Sequence, residues 1–384
     1  MNPALGGLSA CIRSLAPALA GLGHPSEIAC LDAPDAPHLP AISTRVHALG
    51  PSRLGFAYAP RLRSWLMAEL PRFDAVIVHG LWQYHGLATH RALLRPGSPP
   101  RFVFSHGMLD PWFRREYPRK HIKKWFYWWL AERRILNTAA AVLFTCDEER
   151  RLARESFGGR SYRERVVAFG TAAPPDDPAG QREALFRQVP GLRDHPYWLF
   201  LGRIHPKKGV DLLVETYGRL AAIHGAALPR LVIAGPCADT DYLHRLQDRA
   251  AACCPAGTVS WPGMLTGAVK WGALRAATAF VLTSHQENFG IAVAEALACG
   301  TPALVSDQVN IWREITGDGA GLAGPDTAEG TFGLLSRWVA LDDGAKDRMR
   351  ASARDSFRRR YEIGAAAHSL LAALQEFIPT SRNP

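Results

Sequence analysis

The chain has 384 residues, 47% of them hydrophobic and 21% charged, with a formal net charge of +10 at pH 7. That is the make-up of a folded globular protein with room for two domains, and it excludes a disordered or fibrous chain. No apolar run reaches the ~18 residues that span a bilayer, and the positive charge favours anionic partners such as a sugar nucleotide, nucleic acid or an anionic membrane.

Residues 1–24 begin with MNPALGG, a Gly-containing turn that carries Gly6 and Gly7. The stretch LSACIRSLAPALAGLGH after it reads as an amphipathic helix that Pro17 should interrupt. An α/β unit puts a strand before such a turn, and no residues remain to make one. That strand would be central in a doubly wound sheet. Either an in-frame segment rich in Val, Ile and Leu, about five to eight residues long, lies upstream, or the sheet has a gap. Met1 is followed by Asn-Pro without a basic start or a long apolar core, so no signal peptide is expected. The seven cysteines show no CxxC spacing and read as reduced core thiols, which fits a cytoplasmic location.

Strand and helix signals then alternate. Strands are expected at 27–32, 44–50, 74–80, 101–107, 140–145 and 165–169, with helices near 57–70, 85–94, 118–137 and 147–156. The Pro-, Gly- and Asp-rich stretch 170–180 reads as an interdomain linker. A second α/β series follows, with strands at 197–203, 230–235, 257–260, 278–284 and 302–306 and helices near 209–224, 240–252 and 268–276. The Arg-rich tail from about 343 to 377 reads as helical.

Two stretches carry chemistry. In LGRIHPKKGVDLLVE (201–215) a strand ends at Gly202-Arg203, and Lys208-Gly209 precede a helix capped near Asp211. Arg203 and Lys208 can therefore converge on one anion, the guanidinium bidentately and the ammonium as a point charge. In TSHQENFGIAVAEALAC (283–299) a buried strand leads through Glu287, Asn288, Phe289 and Gly290 into an Ala-rich helix that carries Glu295. A helix start at a small residue suits phosphate. Glu295 lies on the order of 8 Å further along the helix, so the two carboxylates can face a long, hydroxyl-rich ligand at different heights.

The pair Glu287 and Glu295 with E-N-F-G between them and ALACGTP after them resembles the signature of the retaining GT4 (group 1) glycosyltransferases. The resemblance covers nearly the whole chain, with its diagnostic motifs between 201 and 309. It implies an α/β, GT-B architecture of two Rossmann-like domains facing a cleft, here with the first strand of the N-terminal domain missing. An acceptor-binding domain would span 1–172 and a nucleotide-sugar-binding domain 181–360. Residues 361–384 would form a helix crossing back to the first domain. By resemblance Arg203 and Lys208 neutralise the leaving diphosphate. Glu287 holds donor-sugar hydroxyls, Glu295 holds the ribose, and the backbone of Asn288, Phe289 and Gly290 contacts the donor. Gly6 and Gly7 match a loop that touches the diphosphate, and His106 in FSHGMLD matches a histidine that touches the transferred sugar. The family needs neither cofactor nor metal, and no general base is named because the leaving phosphate itself accepts the acceptor's proton.

The expected reaction is transfer from a nucleotide-diphosphate sugar to a glycan or lipid-linked acceptor, as in surface polysaccharide assembly. The segment PWFRREYPRKHIKKWFYWWLAERR (111–134) holds a dense aromatic run among Lys and Arg. It reads either as a face for an anionic membrane, giving a peripheral location, or as core aromatics beside a solvated basic face. No RRM, KH or zinc-finger pattern supports nucleic acid. Asp110 and His79 also stand near strand ends. Two rivals remain: a glycosidase, whose two carboxylates must lie about 5–9.5 Å apart across one bond and which would leave Arg203 and Lys208 without purpose, and an inactive GT-B binding or assembly subunit.

Overall fold

A computed structural model describes residue 1, residues 7–53 and residues 55–378, apart from the side chain of Lys120. The chain divides into two compact units, one of Met1–Ala172 with Ile363–Pro384 and the other of Ala173–Glu362.

In the first unit the strands are β1 (Ile28–Cys30), β2 (Val46–Ala48), β3 (Val76–His79), β4 (Arg101–Phe104), β5 (Ala141–Phe144) and β6 (Glu164–Val166). β3, β4, β5 and β6 form one parallel sheet in chain order, and β1 and β2 form a separate parallel pair. β4 and β5 are buried on both faces, so their residues alternate between two cores. Phe102, Phe104 and Leu143 pack with Leu15 and Leu19 of the helix Gly7–Gly21 and with Leu370 and Leu374 of the helix Ile363–Gln375. Val103, Val142 and Phe144 face the other way, onto Trp128, Leu136 and Phe157. The last helix thus belongs to the first unit. Each of these fully buried side chains contributes about 1.5–3 kcal/mol of apolar burial.

Pro17 does not interrupt the first helix, contrary to the sequence-based expectation: the helix runs unbroken from Gly7 to Gly21. Pro17 faces solvent while Leu15, Ala16 and Leu19 are buried. Packing of that buried face offsets the ~3 kcal/mol that an internal proline costs. Gly7 opens this helix, whereas Gly6 lies outside the described residues.

The expected central strand is absent among the described residues. Among the described residues β1 and β3 do not pair with each other, and residues of both strands line one cavity of about 890 Å3.

In the second unit β7 (Tyr197–Leu201), β8 (Arg230–Ala234), β9 (Val259–Gly263), β10 (Ala279–Leu282), β11 (Ala303–Ser306) and β12 (Gly321–Gly324) form one parallel sheet in the order β12-β11-β10-β7-β8-β9. The chain leaves β7 toward β8 and β9, then returns to the other side of β7 with β10. The order therefore reverses between β7 and β10. In an open α/β sheet the crevice beyond the carboxyl ends of the strands at that reversal is where ligands bind. The linker is shorter than expected, because Asp177 caps a helix Pro178–Gln188 with its side chain and proline occupies the first turn. No helix among the described residues is long and apolar enough to cross a membrane.

Candidate active site

The reversal point is built from the two stretches that follow β7 and β10. After β7 the chain passes Gly202 and Arg203, makes a single 3-10 turn at Pro206–Lys208, and enters the helix Val210–His224 through Gly209. Gly209 has a left-handed backbone (φ 60°), and a Cβ there would lie 2.1 Å from the carbonyl oxygen of Thr283. Only glycine lets this loop lie against the end of β10. Two bonds complete the junction: the Thr283 hydroxyl donates to the Gly209 carbonyl at 2.7 Å, and the His285 N–H donates to the Lys207 carbonyl at 2.9 Å. Gly209, rather than Asp211, is the residue that caps the helix; Asp211 sits in its first turn.

After β10, Glu287 is held by backbone bonds on both sides, its N–H donating to Gln308 and its carbonyl accepting from Asn310, each at 2.9 Å. Gly290 (φ 74°) then opens the helix Ile291–Ala298 with no side-chain cap, and a Cβ there would press on Val293. The Val293 N–H turns back onto the Gly290 carbonyl at 2.8 Å, which leaves the N–H groups of Ile291 and Ala292 to a ligand or to water. Asn288 pairs its side chain with Asn310 at 3.3 Å. Phe289 is buried against the Tyr361 ring, 5.6 Å between centroids.

Two ion pairs stand at this junction. The Lys208 ammonium donates to a Glu287 carboxylate oxygen, with the side chains 15% and 20% exposed. Burial opposes ionisation of Glu287, but Lys208, aided by Lys207 and Arg203, outweighs it and holds the carboxyl below its ordinary pKa. Glu295, 13% exposed, accepts from Lys270 Nζ at 2.7 Å. Lys270 lies on the helix Gly267–Ala276 with its ammonium 4.2 Å from the Trp271 ring centroid. No sequence motif pointed to Lys270; the fold alone brings it to Glu295. Arg203 is exposed at the end of β7. The structure therefore brings Lys208, Glu287 and the start of the Ile291–Ala298 helix together, with Arg203 near them and Glu295 further along that helix. Among the described residues no three His, Cys, Asp or Glu side chains converge to hold a metal ion.

His106 belongs to the first unit, where it follows β4 in a left-handed conformation (φ 48°) that is uncommon for a residue with a Cβ. Glu149 clamps the loop on both sides of it, accepting from the Ser105 hydroxyl and the Gly107 N–H at 2.6 Å each. His106 Nε2 and His79 Nδ1 are 3.0 Å apart, so one ring donates and the other accepts. Burial, with His79 adding to it, pushes the His106 pKa well below its usual value. Burial and His85 likewise bring His79 down to about 4. Both rings are therefore neutral at pH 7. Asp110 is buried and its carboxylate accepts from the Trp112 N–H at 2.8 Å, which caps a turn.

The 111–134 segment divides its aromatics. Trp128 is fully buried, whereas Ile122, Trp125, Phe126, Trp129 and Leu130 are between 46% and 83% exposed. Their spacing of three and four residues puts them on one stripe. Lys124 turns inward, its ammonium 4.9 Å from the Phe113 ring centroid and 5.2 Å from that of Trp82. All seven cysteines are free thiols, Cys11, Cys30, Cys146 and Cys299 among them buried.

Residues 6–170 match the family described as "Glycosyl transferase 4-like domain", and residues 181–356 match "Glycosyl transferases group 1". Among curated proteins, a D-inositol 3-phosphate glycosyltransferase of Jonesia denitrificans is 27% identical over 301 residues, covering 76% of this chain and 63% of that protein. The corresponding Geodermatophilus obscurus protein is 31% identical over 264 residues, covering 65% and 56%. The chain thus spans between 56% and 63% of the length of these two relatives. Among solved structures, Anabaena HepE in complex with UDP and glucose superposes with a TM-score of 0.74 at 15% identity, covering 98% of this chain and 97% of that one. With its two parallel α/β units, its two adjoining family matches and these relatives, the chain belongs to the group 1 (GT4) glycosyltransferases and has the GT-B fold.

Proposed function

We propose that the chain is a retaining glycosyltransferase that moves a sugar from a nucleoside-diphosphate sugar to a glycan or lipid-linked acceptor, in surface polysaccharide assembly. The observation that carries this reading is the junction at the reversal point, where Lys208, Glu287 and an uncapped helix start meet. A diphosphate needs fixed positive charge and N–H donors, and a sugar needs acceptors for its hydroxyls. Lys208, Arg203 and the start of the Ile291–Ala298 helix supply the first. Glu287 and Glu295 supply the second. That HepE, a structural neighbour, is seen with UDP and glucose supports a nucleotide donor. The charge on the departing diphosphate grows as the glycosidic bond breaks, and preorganised cations there stabilise the transition state more than the ground state. The departing phosphate then accepts the acceptor's proton. On the first unit, neutral His106 offers a ring nitrogen to a sugar hydroxyl. None of these steps calls on a metal or a cofactor.

A thermal-shift panel of nucleotide sugars tests the reading. At about 100 times its dissociation constant a donor adds about 2.7 kcal/mol to stability, which raises the melting temperature by several degrees. Glu295→Gln is expected to cut that shift, because the ribose hydroxyls lose an ionised acceptor, while the transfer rate at saturating donor changes little. A panel in which no nucleotide sugar shifts the melting point contradicts the reading, and an unchanged shift in Glu295→Gln removes the ribose assignment.

The stripe of Ile122, Trp125, Phe126, Trp129 and Leu130, with exposed Arg115, Arg119, Lys123 and Arg134 on the same segment, favours a lipid-linked acceptor at an anionic membrane surface. Vesicles containing anionic lipid are expected to retain the protein at low salt and release it at high salt. Charge reversal at Arg119 and Lys123, which face solvent, should weaken retention. Lys124 makes a poor choice for this test because its ammonium is turned onto the Trp82 and Phe113 rings. Equal binding to neutral and anionic vesicles would contradict the electrostatic part.

A further inference from the structure

The second unit carries a pair of thiols that sugar transfer does not use. Cys253 ends the helix Thr240–Cys253, Cys254 caps it in an extended conformation (φ −110°, ψ 147°), and Pro255 follows. A residue before proline is pushed out of the α region, so the helix stops here. Within a helix, neighbours in sequence point away from each other. At this break the Cys254 side chain instead lies beside that of Cys253, with the two Sγ atoms 3.6 Å apart. Cys253 is exposed and Cys254 partly buried, so the pair is open to solvent.

The pair is also held in place. The Cys254 N–H donates to the Ala250 carbonyl at 2.9 Å. Both thiols rest on the helix Val210–His224, where Cys253 and Cys254 donate weakly to the Val214 carbonyl at 3.9 Å and 3.7 Å. Gly218 permits this approach: a Cβ there would lie 2.6 Å from the Cys253 carbonyl oxygen and 3.0 Å from its Sγ. One turn before the pair, Arg249 makes an ion pair with Glu215 across the same two helices.

Adjacent thiols can close a disulfide or share a cation, and distance separates the two. A disulfide joins Cα atoms roughly 4.4–6.8 Å apart. A trans peptide, as here, holds neighbouring Cα atoms at about 3.8 Å, so closure would strain the backbone. A zinc-type cation binds thiolates at about 2.3 Å in a tetrahedron, which sets two sulfurs about 3.8 Å apart. The observed 3.6 Å lies close to that spacing. Burial, with Cys253 adding to it, pushes the Cys254 thiol up to about 12. Oxidants attack the thiolate and so meet little of it at pH 7. A bound cation instead drives the proton off its own ligand.

We propose that Cys253 and Cys254 form a two-thiolate site for a divalent cation of the zinc class. On binding, two S–H bonds break, two S–metal bonds form, and both protons pass to water. The other two tetrahedral positions are left to water or an exchangeable ligand.

Titration of the reduced full chain with Cd2+, a zinc-class ion whose bonds to thiolate absorb in the ultraviolet, tests the site. The wild type is expected to bind one tight equivalent with the absorption of two thiolates. Cys253→Ser and Cys254→Ser are each expected to weaken binding by at least about tenfold, since loss of even an outer partner of a metal ligand costs about 10–100-fold. Cys237→Ser, which changes a partly exposed thiol at the other end of the same helix, is expected to leave it unchanged. Raising the pH by one unit is expected to tighten binding by about tenfold to a hundredfold, as one or two protons are displaced. Affinity that is unchanged in both serine variants, or that does not respond to pH, would overturn the site. So would conversion of the pair to an internal disulfide by oxidised glutathione, which would make it a redox couple instead.

Discussion

Replacing Lys208 by Ala is expected to lower the rate of sugar transfer by about 10²–10³, the loss typical of one preorganised charge stabiliser. The ammonium is 15% exposed and is positioned by a loop that Gly209 locks against the end of β10. It therefore acts through less water than a surface lysine would. Arg203→Ala points the same way but costs less, about tenfold, because its guanidinium stands exposed at the end of β7 where solvent screens it. Lys208→Ala also leaves Glu287 without its nearest cation, so the carboxyl pKa rises from its depressed position. Transfer assays at saturating donor check this, and wild-type turnover in Lys208→Ala would remove the diphosphate assignment.

Glu287→Gln is expected to lose transfer activity to a similar degree, about 10²–10³, but with the opposite effect on diphosphate binding. In the structure Lys208 is neutralised by Glu287. A ligand phosphate must compete with that carboxylate for the ammonium. Glutamine keeps the shape and a weaker hydrogen-bond acceptor but frees the positive charge, so nucleoside diphosphate should bind as tightly as to the wild type or tighter. The sugar hydroxyls meanwhile lose an ionised acceptor, and charge-assisted bonds are roughly twice as strong as neutral ones. A rate that falls only in step with diphosphate affinity would show that Glu287 serves the phosphate and not the sugar.

The parts of this site that were legible in the sequence are those built from one continuous stretch. The passages 201–215 and 283–299 each carry a strand, a turn with its glycine and a helix start, so local chemistry alone placed Lys208, Glu287 and Gly290 at strand ends. What the sequence hid was made by tertiary contact. Lys270 reaches Glu295 from another helix, 25 positions away and with no spacing to announce it. Glu149 fastens the His106 loop from 42 residues away from Gly107. β12, Gly-Leu-Ala-Gly, has poor strand propensity and forms because it pairs with β11 from Ala303 to Ser306. Pro17 misled in the opposite sense, since a local breaker was overruled by the packing of Leu15 and Leu19. The WFYWW run could not be assigned to core or surface from composition, and the structure divides it, with Trp128 inside and Trp125, Phe126 and Trp129 outside.

The central claim is that the diphosphate of a nucleotide donor sits on Lys208 at the meeting of β7 and β10. Calorimetric titration of the full chain with nucleoside diphosphate and with the matching monophosphate, in wild type and Lys208→Ala, tests it most directly. The account predicts that the wild type binds the diphosphate more tightly than the monophosphate and that Lys208→Ala loses this preference while still binding the nucleoside. An equal preference for the diphosphate in both proteins would contradict it.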